Sequence, residues 1–145
     1  MRTRKSWREK MDNPNLPKVV DIPPNMQKRL GTGTLLIPSP RDVEGVIRGI
    51  PEGEIMTVAQ IRRSLAARYA TNSACPLCTG MFVRLSAEAA EEEAREGQTR
   101  IVPYWRVVKN DGSLNPKFPG GAERQAERLR GEGRRIVKGR VAQAV

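Results

Sequence analysis

The sequence predicts a mainly α-helical domain with one small β-hairpin, held between two basic, extended ends. Apolar residues recur at helical spacing in four stretches between Val43 and Leu129. A Lys109-Asn110-Asp111-Gly112 run follows β-branched segments, as a hairpin turn requires. The charge is also uneven: of a net +10, residues 1–30 carry +5, residues 31–121 only +1 and residues 122–145 +4. With 145 residues, 38% hydrophobic and 4% aromatic, the chain has room for one modest core and not for a two-domain enzyme with a large cofactor cleft. The organisation that follows is an arm over 1–39, a domain over 40–137 and a tail over 138–145.

In the arm, Arg2, Arg4, Lys5, Arg8 and Lys10 keep the start solvated, and Pro14, Pro17, Pro23, Pro24 and Pro38 interrupt any helical period. Trp7 is a candidate tether. Gly31-Thr32-Gly33-Thr34 reads as a turn into a short strand at Leu35-Leu36-Ile37, without the spacing or the Lys of a phosphate-binding loop. After Pro40, Val43, Val46, Ile47 and Ile50 fall at i, i+3, i+4 and i+7 on one helix face, and Ile50-Pro51-Glu52-Gly53 stops that helix. Thr57 and Gln60 form a capping box, which opens a helix from Val58 to Tyr69 burying Ile61, Leu65 and Tyr69.

Beyond Thr71-Asn72-Ser73, Cys75-Pro76 starts another helix, because proline is tolerated where the amide has no partner. It continues from Thr79 to Glu93 with Met81, Phe82, Leu85 and Ala89 inward. Two helices across such a turn resemble a helix-turn-helix whose second helix is the reader. Glu88, Glu91, Glu92 and Glu93 repel phosphate, which restricts close approach to the first turns near Thr79, Gly80 and Arg84. Ile101-Val102 and Arg106-Val107-Val108 are strand-like, and the turn returns the chain at Ser113-Leu114, so the hairpin makes a wing and the fold class is a winged helix-turn-helix. A last helix over Ala122 to Arg130 turns Ala126 and Leu129 inward and Arg124, Arg128 and Arg130 outward, and Gly131-Glu132-Gly133 ends it. Arg134 to Arg140 closes as a basic tail.

The chain has no histidine and two cysteines, Cys75 and Cys78. That excludes His-based triads, haem sites with a His ligand, Cys/His and four-cysteine zinc sites within one chain, and a disulfide framework. No cofactor and no metal are expected. No segment approaches the roughly 18–20 continuous apolar residues of a membrane span, and the charged first ten residues lack an apolar signal core, so the expectation is a cytoplasmic protein with no membrane partner. Cationic ends on a nearly neutral body point to a polyanion. Basic arms do not distinguish DNA from RNA, although paired aromatics on a sheet, common in RNA readers, are missing. Cys75-Pro76-Leu77-Cys78 reads in two ways: as a thiol pair with a lowered pKa at a helix start, suited to redox exchange or an intermolecular metal, or as two small buried apolar groups.

From Pro40 to Val137 the order of elements and the local strings resemble the DNA-binding domain of the O6-alkylguanine-DNA alkyltransferase family. The strings are Ile50-Pro51-Glu52-Gly53-Glu54-Ile55-Met56-Thr57 before the helix-turn-helix and Pro103-Tyr104-Trp105-Arg106-Val107 at the family's active-site motif. They continue with Asp111-Gly112-Ser113-Leu114, Phe118, Gly120-Gly121 and Glu132-Gly133. The resemblance implies a nucleophilic Cys where Tyr104 stands and a His where Trp105 stands, with Glu132 kept from the relay that frees the thiolate. A phenol with an ordinary pKa of about 10 cannot replace that thiolate, so no transfer is expected and no residue is assigned a catalytic role. The family's base-rotating tyrosine falls at Val58 and its stack-filling arginine near Pro76 or Leu77. Alkyltransferase-like proteins, which bind alkylated DNA without repairing it, keep that arginine and the His and carry Trp in place of the Cys. This chain shares with them an aromatic at the former nucleophile.

The resulting expectation is a non-catalytic, monomeric binder of duplex DNA, possible links to alkylated-DNA recognition included. Its contacts are expected at Thr57, Thr79, Arg84 and Arg106, with Arg124, Arg128, Arg134 and Arg135 on phosphates. Two positions carry a second reading: Arg106 either contacts DNA or orders the turn beside it, and Trp105 either stacks with Tyr104 on an extruded base or packs in the core.

Overall fold

Side-chain caps set where the core helices begin. In the computed structural model, which describes residues 5–142, Ser39 and Asp42 cap each other's amides, and α3 runs Pro40–Arg48. Thr57 and Gln60 do the same for α4 (Val58–Arg68), as their spacing predicts. Tyr69 follows as the cap and donates its hydroxyl to Asp42 at 2.6 Å. Pro76–Arg95 form α5, whose first turn is capped by the Cys75 sulfur accepting the Cys78 amide at 3.4 Å. Gly121–Gly131 form α6.

Val43, Ile47 and Ile50, then Ile61 and Leu65, face one another with Val83, Ala87 and Ala90 in the main core. Each large side chain buried there contributes about 1.5–3 kcal/mol. The buried stripe of α5 is Thr79, Val83, Ser86, Ala87, Ala89 and Ala90. Of the expected inward face, Ala89 is buried and Phe82 packs on the main core, whereas Met81 is corrected to the surface at 56% exposed and Leu85 is half-buried. Small residues let helix axes approach closely, so the packed face follows alanine and serine and not the largest apolar groups.

The first 39 residues are not an extended arm over the part described. A one-turn helix, α1 (Trp7–Lys10), is capped by Ser6 and Glu9, and its Trp7 and Arg8 amides both donate to Glu92 of α5. Next, β1 (Lys18–Asp21) pairs antiparallel with β2 (Thr34–Ile37), Lys18 opposite Ile37 and Asp21 opposite Thr34. β2 then pairs in parallel with β4 (Ser73–Ala74). A 3₁₀ turn over Pro24–Met26 and the short α2 (Gln27–Leu30) connect the first two strands. Prolines that break a helical period here start a turn, where a missing amide leaves nothing unpaired. Arg2 and Arg4 lie outside the described residues, as do residues 143–145 of the tail.

The hairpin is also placed differently from expectation. Val107–Val108 (β5) pairs in parallel with Met56–Thr57 (β3), which lies 51 residues earlier, and Tyr104–Arg106 is a 3₁₀ turn. The Lys109–Gly112 turn does form, with the Lys109 amide donating to Ser113. Ser113 bridges to Arg140, however, and the hairpin itself is β6 (Ile136–Val137) against β7 (Arg140–Val141). Val141 is buried with Val108, Leu114, Ala126 and Leu129 in a second core cluster, so the tail's first residues are part of the fold. Among the described residues, no helix is long and apolar enough to cross a membrane.

A closed aromatic site and a candidate nucleic-acid interface

Tyr104 is 1% exposed. Its ring meets Trp105 edge-on with centroids 5.4 Å apart and Phe118 likewise at 5.3 Å. The hydroxyl donates to Glu91 Oε1 at 3.0 Å. Burial, helped by the Glu91 charge and hydrogen bond, raises the phenol well above its ordinary 10.0 and outweighs the opposing Arg128. Arg128 donates to the same Glu91 oxygen at 2.8 Å and lays its guanidinium 4.4 Å from the centre of the Trp105 ring. It is packed inward, not outward as the helical spacing suggested.

A second carboxylate closes the other side. Glu132 accepts from Trp105 Nε1 at 3.0 Å, from Arg106 Nε at 3.0 Å and from Arg106 Nη2 at 2.7 Å. Arg106 Nη1 donates to the Ile50 carbonyl at 2.7 Å, and Arg134 Nη1 donates to the Gly53 carbonyl at 3.3 Å. Gly53 has φ +85°, a left-handed conformation that only glycine adopts without strain, and its amide donates to Glu132 at 3.5 Å. Burial pushes the Glu132 carboxyl up, but the Arg106 and Trp105 hydrogen bonds and the Arg106 charge prevail and hold it below its ordinary 4.5. The arrangement ties three segments together: the Ile50–Gly53 turn, the Tyr104–Arg106 turn and the end of α6. Of the two readings of Arg106, the ordering one fits this geometry.

This cluster has little to offer as a reaction centre. Its phenol stays protonated at neutral pH, and its two carboxylates are occupied by arginines. Tyr104 is enclosed and cannot present a face to an extruded base, which corrects the expected stacking role, while Trp105 is half-buried with a guanidinium over its ring. Cys75 and Cys78 lie at the far end of α5, roughly 20 Å from Glu91 by helical rise. Cys75 is buried. Burial, with a hydrogen bond shared with Cys75 and the Cys75 charge, pushes the Cys78 thiol up to about 11, so of the two readings of the pair the buried, apolar one fits. Among the described residues, no cluster of three His, Cys, Asp or Glu side chains could hold a metal.

The remaining expected DNA contacts divide by accessibility. Thr79 is fully buried, its hydroxyl donating to the Cys75 carbonyl at 2.7 Å, and cannot touch DNA. Thr57 is half-buried and engaged as the cap of α4, and Arg134 is half-buried against the Gly53 turn. Arg84, Arg124 and Arg135 are exposed. Sequence reasoning gave no surface role to Leu77, 72% exposed, and turned Met81, 56% exposed, inward; both share an open face of α5 with Arg84. Their i, i+4, i+7 spacing is the same signal that marks a core face, and the sequence alone does not say which of two apolar stripes is covered. Two of the four glutamates expected to repel phosphate are neutralised: Glu91 pairs with Arg128 at 2.8 Å and Glu92 with Arg8 at 3.2 Å, and Arg8 also pairs with Glu96 at 2.6 Å.

Residues 38–134 match the model of the family described as 6-O-methylguanine DNA methyltransferase, DNA binding domain. The chain belongs to that family. The matched residues of this DNA-binding-domain family hold α3 to α6 and the whole Tyr104–Glu132 cluster, and they begin just after β2. A solved structure, S. pombe Atl1 in complex with damaged DNA containing O6-carboxymethylguanine, is similar with 22% identity, covering 72% of this chain and 87% of that chain at a TM-score of 0.45. No match was found among curated proteins.

Proposed function

We propose that this member of the methyltransferase DNA-binding-domain family binds duplex DNA as a monomer and transfers no alkyl group. One observation carries the second half of the reading: Tyr104, which stands where the family resemblance calls for the nucleophile, is buried, protonated and hydrogen-bonded to Glu91. Accepting an alkyl group needs an exposed, ionised nucleophile, and this position supplies neither. In this reading α4 and α5 are the helix-turn-helix, the β6–β7 hairpin is the wing, and the open α5 stripe of Leu77, Met81 and Arg84 enters a groove. Exposed Arg124 and Arg135 add phosphate contacts. Apolar side chains on such a stripe suit contact with base edges or steps, which cations alone do not provide. For an alkylated base, the open side of Trp105 is the available face, since Tyr104 and Arg128 close the rest of the cluster.

The test is equilibrium binding to undamaged, O6-methylguanine-containing and mismatched duplexes across a salt series, with mass spectrometry of the protein afterwards. The expected result is salt-dependent binding and no mass gain on any duplex. A methyl adduct on the protein, or no binding to any of the three, overturns the proposal. Tighter binding to the methylated duplex without a mass gain extends it to lesion sensing.

A further inference from the structure

The segment from β1 to β2, residues 18–37, lies outside the matched residues 38–134. It is nevertheless fastened to the start of α5. The Cys75 amide donates to the Leu36 carbonyl at 2.9 Å, Leu36 stands opposite Ala74 in the sheet, and Ile22 and Leu35 pack on Cys75 with Cys78 beside them. Three cations from three elements border this junction: Lys18 stands opposite Ile37, which packs on the same cluster as Cys78, Arg29 precedes Leu30 of that cluster, and Arg62 reaches in from α4. Arg62 of α4 is fixed there by donating to the Ala74 carbonyl at 2.9 Å and to the Ser73 hydroxyl at 3.3 Å. Arg29 of α2 is near enough to oppose the Arg62 charge, and Lys18 of β1 is near enough to the Cys78 sulfur to favour its thiolate.

Lys18 and Arg29 are exposed, and neither they nor Arg62 form an ion pair among the described residues, where Arg8, Arg41, Arg48, Arg106, Arg128 and Arg140 all do. The carboxylate of β1, Asp21, is three residues along the strand from Lys18, about 10 Å away. Like charges held together on a rigid surface repel, and a polyanion relieves that repulsion while releasing its own counterions. The patch is also continuous with the open stripe of α5. At about 100° per residue, Cys78 lies at the edge of the Leu77, Met81 and Arg84 face, and Ile37, the register partner of Lys18, packs in the cluster that Cys78 joins.

We propose that residues 18–37 form a second DNA-contacting element, with Lys18 and Arg29 on phosphates of the same duplex whose groove receives the α5 stripe. The proposal rests on the DNA-binding reading above. It makes the N-terminal segment a fixed part of the footprint and not a loose cationic arm.

The experiment compares the full chain with the double variant Lys18→Ala/Arg29→Ala and, separately, with Arg84→Ala, on one fluorescent undamaged duplex across a salt series. Loss of two phosphate contacts should weaken binding by roughly ten- to thirty-fold near 0.15 M salt and make the log–log salt slope shallower by about 1.8. The charge-preserving Lys18→Arg/Arg29→Lys variant should bind as the wild type does, and urea midpoints of all variants should coincide because the changed side chains are exposed. Unchanged affinity and slope in Lys18→Ala/Arg29→Ala, alongside weakened Arg84→Ala, overturns the proposal and leaves the DNA-binding reading standing. Failure of the wild type itself to bind the duplex overturns both.

Discussion

Along α5, the first turns and the last turns differ in charge and in what surrounds them. At the start, Arg84 and the apolar Leu77 and Met81 face solvent. At the end, Glu91 and Glu92 are claimed by Tyr104, Arg128 and Arg8 from distant parts of the chain. Arg84 and Arg128 are indistinguishable as charges in the sequence, yet one is open and the other lies over an indole ring with a carboxylate partner. The difference teaches that a basic residue is available to a polyanion only where the fold leaves it without a carboxylate, so net charge overstates the binding surface.

The largest break in this comparison should come from Glu132→Ala. It strips the partner from a nearly buried Arg106 and from Trp105, and should cost about 3–5 kcal/mol, seen as a fall of roughly 10 °C or more in Tm. An unaltered melting curve would remove the structural role assigned to that carboxylate. Next, Arg128→Ala and Arg84→Ala should separate cleanly. The first should lower stability by about 1–3 kcal/mol while leaving the salt slope of DNA binding in place. The second should leave stability within about 0.5 kcal/mol and make that slope shallower by about 0.9. Similar effects from the two would mean that the paired and open cations do not differ in role.

A smaller effect is expected from Tyr104→Phe, which keeps the ring and deletes one hydrogen bond to Glu91. A loss of about 1 kcal/mol in urea unfolding is expected, with DNA affinity unchanged. The mildest sharpening is by pH. Glu132 is depressed in the fold, so its contribution is present above its ordinary 4.5 and is lost as pH falls below that value. Cys78, raised to about 11, contributes stability that is present below its ordinary 9.0 and lost as pH rises through the folded value. With no histidine, stability should be flat between about pH 5.5 and 8, and Glu132→Gln should flatten the acid side of the urea midpoint against pH.

Several elements were legible because their causes are local. Thr57 and Gln60 are three residues apart, and their mutual cap marks the start of α4 with no reference to the rest of the chain. The Val43 to Ile50 face is legible for the same reason. The two-residue strands were not. Val107–Val108 has the β-branched composition of a strand, but whether it pairs with Ser113-Leu114 or with Met56–Thr57 depends on what the core brings beside it. Residues 5–39 misled for a related reason: their prolines forbid long helices, but short strands and turns docked on α5 need none.

By itself the sequence determined that no histidine serves as a base or ligand in this chain, since it contains none. It also determined where the core helices begin, because capping and turn residues act within one helical turn. Only the tertiary structure decided that Arg8 meets Glu92 and Arg106 meets Glu132, that Thr79 is sealed inside, and that Lys18, Arg29 and Arg84 stay open. The physical reason is distance along the chain. Charges separated by tens of residues neutralise one another only after packing of the core has fixed which surfaces meet.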